Sequence, residues 1–241
     1  IINDGGNKKL IFSLTPKERI KGLVLPKHIT PDLAYFCGFM AGDGSIGYRE
    51  KKKEYWIKAV GNPKDEQEYY NTLMKNLFKK LFNVNIKSKL HDAGVSYGFS
   101  LVSKNITAYL HEFIGLPLGK KVNFSIPPEI IRSEELSRNF LRGYFDTDGC
   151  LYLENKRGKP YPRIEMASIS EEFVKQLRDI LTKLGFKFSY YKENRTKRGW
   201  FDLHRIIIRG NEMTLKWFNE IKPANQKHVR KFEKLKMVAP R

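Results

Sequence analysis

Two cysteines and five histidines are all that this chain of 241 residues offers to thiol or soft-metal chemistry. Cys37 and Cys150 are too few for a disulfide framework or a zinc site, and the histidines show no ligand spacing. Both cysteines read as small packing residues in a reducing compartment. No Ser-His-Asp or Cys-His arrangement points to a covalent mechanism. The chain also lacks an apolar run long enough to cross a bilayer and a secretory signal, so no membrane partner is expected. An intracellular setting follows, either the cytoplasm of a prokaryote or an organelle matrix. The first residue is Ile1 rather than Met, which reads as a trimmed start. Acidic residues are scarce: 26 against 45 basic ones, a formal net charge of +19. That excess points to a polyanionic partner, nucleic acid before an acidic membrane surface, because no compact basic amphipathic helix stands out. Hydrophobic residues make up 41% of the chain, enough for a real core, and the length fits one or two domains.

What the chain does contain is one phrase used twice. Phe36-Cys37-Gly38-Phe39-Met40-Ala41-Gly42-Asp43-Gly44 is echoed by Leu141-Arg142-Gly143-Tyr144-Phe145-Asp146-Thr147-Asp148-Gly149, and the offset from 43 to 148 is 105 residues. Such a duplication suggests two copies of one unit. Each phrase reads as the end of a helix. Thr30-Pro31 caps and opens the first, Ser133-Glu134-Glu135 opens the second, and Gly44 and Gly149 are expected to close them in the left-handed conformation. Gly38 and Gly42, like Gly143 and Thr147, lie four apart on one helix face, so the two helices are expected to pack closely, side by side and in parallel. Asp43 and Asp148 then meet in the last turns, where the helix dipole is already negative. A divalent cation resolves that conflict, and hard oxygen ligands favour Mg2+, with Mn2+ or Ca2+ able to take its place.

The rest of the chain repeats as well. After the first phrase, Ser45 to Arg49 and Tyr55 to Val60 form a hairpin about Glu50 to Glu54. A helix from Asn62-Pro63 follows, carrying Tyr69, Leu73, Leu77 and Leu81. A second hairpin joins Asn85 to Leu90 with Ser96 to Val102, and Asn105 to Ile114 is a helix. After the second phrase, Leu151 to Asn155 pairs with Arg163 to Ser168. Ser170 caps a helix with Phe173, Leu177, Leu181 and Leu184. Lys187 to Lys192 pairs with Phe201 to Arg209, Asn211 to Ile221 is a helix, and a basic tail helix follows Pro223. The expected fold class is α+β: two pseudo-symmetric αββαββα halves, each an antiparallel sheet with helices on one face and the other face open. The expected division is an N-terminal extension 1–30, a first half 31–116, a linker 117–132 and a second half 133–241. Within the extension, Leu10 to Leu14 reads as a strand and Pro16 to Leu25 as a basic helix. It is either a solvated leader or an arm on nucleic acid.

The doubled phrase resembles the LAGLIDADG motif of homing endonucleases, in the single-chain form with two motifs. The last acidic residue of the motif matches Asp43 and Asp148. Ala41 departs from the motif's earlier Asp, which the second copy keeps as Asp146. The resemblance implies a saddle of two sheets over double-stranded DNA, a monomer, and cleavage of a long, asymmetric site by a Mg2+-dependent, intron-encoded nuclease. It implies that the carbonyls of Gly42 and Thr147 join the two aspartates as metal ligands. A further echo, Pro117-Leu118-Gly119-Lys120-Lys121 with Pro223-Ala224-Asn225-Gln226-Lys227, places Lys121 and Lys227 where the family has a basic residue near the cleavage centre. Their role would be to polarise water or stabilise transition-state charge. Asn62 and Ser168, at strand ends, are candidates for orienting water.

Alternation along the strands marks the open face. Trp56 and Lys58 alternate with Tyr55, Ile57 and Ala59; Lys87 and Lys89 with Ile86, Ser88 and Leu90; Tyr152 and Glu154 with Leu151 and Leu153; Arg163 and Glu165 with Ile164 and Met166. Such sets suit a β-ribbon in the major groove. The turns Glu50–Glu54, Lys156–Lys159 and 193–198, with Arg195, Lys197 and Arg198, would add phosphate contacts. Two other readings share the fold: an intron maturase with intron RNA as partner, and a sequence-specific DNA-binding regulator that does not cut. A protein-splicing role is not expected, since residue 1 is Ile and residue 241 is Arg.

Overall fold

The computed structural model describes the backbone of residues 2–4, 7–9, 14–20, 22–156 and 158–238, and side chains from 14 to 235 except 17, 21, 157 and 159. Most of the strand expected over Leu10 to Leu14 lies outside the described residues. Two three-residue strands, β1 (Ile2–Asp4) and β2 (Asn7–Lys9), pair at the start. Helix α1 (Pro16–Ile20) is half the expected length, because Gly22 takes a left-handed turn (φ 66°). Glu18 on α1 accepts hydrogen bonds from the Ser103 hydroxyl (2.9 Å) and from the Asn105 side chain, so residues 15–19 dock on the first half.

The first half runs α2 (Pro31–Ala41), β3 (Gly44–Arg49), β4 (Glu54–Gly61), α3 (Gln67–Tyr69), α4 (Lys75–Phe82), β5 (Ser88–His91), β6 (Ser96–Val102) and α5 (Lys104–Glu112). One wide turn, Tyr70–Met74, joins α3 to α4 in a single bent helix. A short α6 (Pro128–Arg132) lies within the stretch expected as linker. The second half runs α7 (Glu134–Asp148), β7 (Cys150–Lys156), β8 (Lys159–Ser168), α8 (Glu171–Lys183), β9 (Phe188–Glu193), β10 (Leu203–Arg209) and α9 (Asn211–Glu220), with α10 (Gln226–Val238) behind. The sheets are antiparallel and share one order, β3-β4-β6-β5 and β7-β8-β10-β9. This is the expected doubled αββαββα plan.

Local chemistry accounts for the motif helices. The Thr30 hydroxyl accepts from Leu33 N at 3.2 Å and the Ser133 hydroxyl from Leu136 N at 3.3 Å, which caps α2 and α7. The two helices lie against each other with their backbones almost in contact. A Cβ on Gly38 would overlap the Phe140 carbonyl, one on Gly143 the Tyr35 carbonyl, and one on Gly42 the Thr147 hydroxyl. Gly38 and Gly143 themselves stand at the 105-residue offset, so the interface is a pseudo-twofold. Aromatic packing holds the layers behind it: Phe36 meets Phe78 and Phe82 edge-on, and Tyr144 meets Phe173.

Three expectations need correction. Gly44 and Gly149 do not adopt positive φ; Gly149 is extended (φ −77°, ψ 156°). What each position demands is space, because a Cβ would overlap Met40 in one case and Phe145 in the other. Leu90 and Leu153 do not pack on helices: they are 55% and 45% exposed. Cys37 is buried as expected, but Cys150 is exposed at the start of β7. Among the described residues, no helix is long and apolar enough to cross a membrane.

Candidate metal centre and nucleic-acid interface

The parallel packing of α2 and α7 brings Asp43 and Asp148 together beneath the seam between the sheets. Protein crowds both carboxylates, but Asp43 is only half-buried and Asp148 still reaches solvent. Burial, with the nearby Asp148 and Glu66 charges, pushes the Asp43 carboxyl up to about 7, against an opposing hydrogen bond from Tyr70. That bond, from the Tyr70 hydroxyl to Asp43 Oδ2, is 2.8 Å long. Burial raises Asp148 in the same direction, opposed by Lys121 and Lys227.

Each lysine sits on the backbone of a motif. Lys121 Nζ donates to the carbonyls of Ala41 (2.7 Å), Gly44 (2.9 Å), Met40 (3.3 Å) and, most closely, Gly42. Lys227 Nζ donates to the Thr147 carbonyl and to Glu66 Oε1, both at 2.8 Å. Burial lowers Lys121, and the two aspartates oppose that effect. The segments that carry the lysines are fixed differently. Gly119 N donates to the Ile46 carbonyl at 2.9 Å, which ties the first segment to β3. The second is tied by Asp146, a fully buried carboxylate. It accepts from Ala224 N at 3.0 Å, Asn225 N at 3.1 Å and the Tyr35 hydroxyl at 2.7 Å. Burial raises its carboxyl to about 6 against those bonds. Asp146 therefore fixes a loop, while Ala41 at the matching position leaves that work to the β3 edge.

The residues fit a hard cation. Two carboxylates that resist ionisation side by side, and two motif carbonyls (Gly42 and Thr147) that already attract ammonium groups, form an oxygen-only donor set. Among the described residues, no three His, Cys, Asp or Glu side chains form a cluster able to hold a metal. A cation held by this pair would thus keep coordination positions free for phosphate oxygen and water.

Asn62 and Ser168 are engaged in local turns. Asn62 Oδ1 accepts from Lys64 N at 2.8 Å, and Ser168 Oγ from Ser170 N at 3.2 Å. Sequence reasoning misses Glu66 and Asn225, although both reach the centre. A buried glutamate at a helix start looks like any first-turn acid, and only the echo at 117–121 marks the neighbourhood of Asn225.

The open faces carry the expected alternation. Trp56 and Lys58 point away from buried Ile57 and Ala59. Trp56 lies over Gly47, with the Arg49 guanidinium 5.7 Å from its ring. Lys58 pairs with Asp92 at 3.0 Å. Lys87 and Lys89 are exposed at the edge of the first sheet. On the second sheet, Arg163 pairs with Glu154, and Tyr152 donates to Glu165 at 3.3 Å. Arg205 bridges Glu165 and Glu193, the latter at 2.9 Å, and Arg209 donates to Tyr191 at 2.9 Å. Arg205 and Arg209 alternate with Ile206 and Ile208, a signal that the sequence carried. Beyond the sheet, Arg195 stacks on Trp200 at 4.7 Å, and Lys197 and Arg198 are exposed in the β9–β10 loop.

Two carboxylates in the last turns of paired helices, below two open antiparallel sheets, define a LAGLIDADG-type architecture. Residues 135–222 match the LAGLIDADG-like domain family. The fold of the whole chain, in both halves, is that of the LAGLIDADG proteins. A crystal structure of I-DmoI in complex with DNA and Mn superposes with a TM-score of 0.56 at 16% identity, covering 79% of this chain and 96% of that one. The N-terminal LAGLIDADG domain of DUF199/WhiA superposes at 0.50 with 14% identity, covering 88% and 92%. Among curated proteins, the chain is 28% identical over 184 residues to glutamine–fructose-6-phosphate aminotransferase of Methanocaldococcus jannaschii, a match that covers 76% of this chain but 15% of that protein. It is 29% identical over 197 residues to the tRNA-splicing ligase RtcB of Pyrococcus furiosus, covering 75% and 20%. The matched region thus spans a fifth or less of the length of these two relatives, and their names describe unrelated activities.

Proposed function

We propose that this chain is a site-specific endonuclease that hydrolyses both strands of a long, asymmetric DNA target as a monomer, with a divalent cation, Mg2+ by preference. The observation that carries this reading is the pairing of Asp43 with Asp148 in the last turns of α2 and α7, with a lysine on the carbonyl that precedes each. A pure binder has no need of two carboxylates held where neither is comfortable. Likeness to a protein solved with DNA and Mn supports the substrate class and the need for a metal. The cation supplies Lewis-acid stabilisation and a water of lowered pKa. Asp43 and Asp148, with the Gly42 and Thr147 carbonyls, hold it. Lys121 and Lys227 place positive charge where charge builds on the phosphate. Asn62 and Ser168, the candidates for orienting water, would do so only after leaving the turn hydrogen bonds that they make. Trp56, Lys58, Lys87, Lys89, Tyr152, Glu154, Arg163 and Glu165 read and grip the duplex from the open faces. Arg195, Lys197 and Arg198 add phosphate contacts.

A second reading, a DNA-binding protein that does not cut, is favoured by one observation: the lysines already occupy the Gly42 and Thr147 carbonyls. The likeness to the DUF199/WhiA domain keeps it in view as a fold-level comparison. The test is cleavage of a randomised duplex library with Mg2+, for the intact chain against Asp43→Asn and Asp148→Asn. Discrete double-strand cuts, lost in both variants with binding retained, support the nuclease. Binding that persists in EDTA without cutting in Mg2+ supports the second reading. Failure to bind duplex at all would turn attention to intron RNA.

A further inference from the structure

The two active-centre lysines are held by different means, and the difference traces to one residue. Glu66 stands at the N-cap position of α3 in the first half without capping it through its side chain, and is 3% exposed. Its Oε2 accepts from Asn62 N at 2.5 Å. Its Oε1 crosses the pseudo-twofold and accepts from Lys227 Nζ at 2.8 Å and Asn225 Nδ2 at 2.7 Å. Gly61 lets this carboxylate close in on the centre: a Cβ there would overlap Glu66 and lie 3.2 Å from Asp43 Oδ2. The matching capping position in the second half is Ser170, which donates to the Phe124 carbonyl at 3.0 Å and reaches no lysine. Among the described residues, Lys121 has no ion-pair partner and rests on backbone carbonyls alone.

We propose that Glu66 is a positioning residue that fixes Lys227 at the Thr147 carbonyl and thereby makes the two cleavage centres unequal, so that the two DNA strands are cut by different machinery. The inference rests on the endonuclease reading above. A half-buried ammonium paired with a buried carboxylate is held in place, because leaving the carboxylate alone in the interior is costly. Lys227 is therefore poised before substrate arrives, with part of its charge neutralised. Lys121, held by carbonyls with the two aspartates near it but no carboxylate in direct contact, is released when a cation or a phosphate displaces it.

The experiment follows each strand separately on the duplex recovered from the library selection, with both 5′ ends labelled and Mg2+ present. Lys227→Met identifies the strand served by Lys227. Glu66→Gln, which keeps the shape and removes the charge, is expected to slow cutting of that same strand at least tenfold. The other strand should stay within about twofold, so that singly nicked duplex accumulates. Glu66→Asp should recover part of the lost rate, and Glu68→Gln on the exposed face of α3 should leave the ratio unchanged. A merely structural role would lower both strand rates together. A metal-free readout accompanies it: in EDTA, the double variant Glu66→Gln with Lys227→Met should lose less thermal stability than the two single losses added together. An unchanged ratio of strand rates in Glu66→Gln, with an active wild-type chain, or strictly additive losses, overturns this inference alone. A wild-type chain that cuts no duplex overturns the endonuclease reading and the strand asymmetry with it.

Discussion

Gly143 rests on the backbone carbonyl of Tyr35, with no room between them for a single methyl group. The pseudo-twofold repeats the arrangement at Gly38 on Phe140. The obstacle is main chain inside a helix, so no side chain can swing aside to admit a Cβ, and α7 must move off α2. Overpacking of this kind costs about 1–3 kcal/mol. Gly143→Ala and Gly38→Ala are each expected to lower the thermal midpoint by about 5 °C. A Tm within a degree of wild type in either variant would mean that the helices are not in backbone contact.

The raised carboxyls make stability depend on pH in a definite direction. With Asp43 at about 7 when folded and its ordinary value when unfolded, the folded metal-free chain holds a proton that the unfolded chain lacks between those limits. Stability must then fall as pH rises through that window and level off above it. Asp146, at about 6, adds a slope of the same sign at its lower end. His228, which burial pushes down to about 3, works the other way below its ordinary value, so the carboxyl contribution is read by urea unfolding in EDTA at pH 5 and pH 8 as the difference between wild type and Asp43→Asn. Asp43→Asn should flatten part of that slope and exceed wild type at pH 8. Added Mg2+ should stabilise wild type at pH 8 and much less at pH 5, where protons compete for the site. An unaltered slope in Asp43→Asn would refute the assignment.

The open faces and the β9–β10 loop are expected to behave differently on DNA. Lys197→Ala and Arg198→Ala should weaken binding alike for all sequences, each reducing the slope of log affinity against log salt by about 1. Arg205, clamped between Glu165 and Glu193, is aimed rather than merely charged. Arg205→Ala should therefore narrow the gap between the selected target and random duplex. Fluorescence anisotropy with labelled duplexes in EDTA, across a salt series, separates the two effects. Equal losses on target and random duplex for Arg205→Ala would assign that residue to the backbone.

Much of this is legible because the chain states it twice. The doubled phrase locates the helix pair, its small residues and both carboxylates, and strand alternation separates the open face from the core. The failures have particular causes. Gly44 and Gly149 suggest helix-ending dihedrals, whereas their constraint is contact with Met40 and Phe145, residues whose approach depends on tertiary packing. Leu90 and Leu153 obey the alternation, but a periodic pattern does not say which of its apolar positions are covered. Glu66 is silent because its meaning lies 161 residues away, at Lys227. Asp146 reads as a motif letter, and only its bonds to Ala224 and Asn225 reveal that it anchors a loop.

The Glu66–Lys227 contact also bears on how such a chain can be recombined. Duplicated proteins invite exchange of parts, since each repeat carries its own fold. Here a carboxylate in one repeat has become the counter-ion of a lysine in the other, while Ser170, at the N-cap of the matching helix, reaches no lysine. The repeats have ceased to be equivalent modules. A chimera that grafts 133–241 onto a foreign first repeat would inherit an orphaned ammonium at its centre unless the recipient supplies a carboxylate at the cap of the corresponding helix. The opposite graft would carry a buried glutamate with nothing to neutralise it.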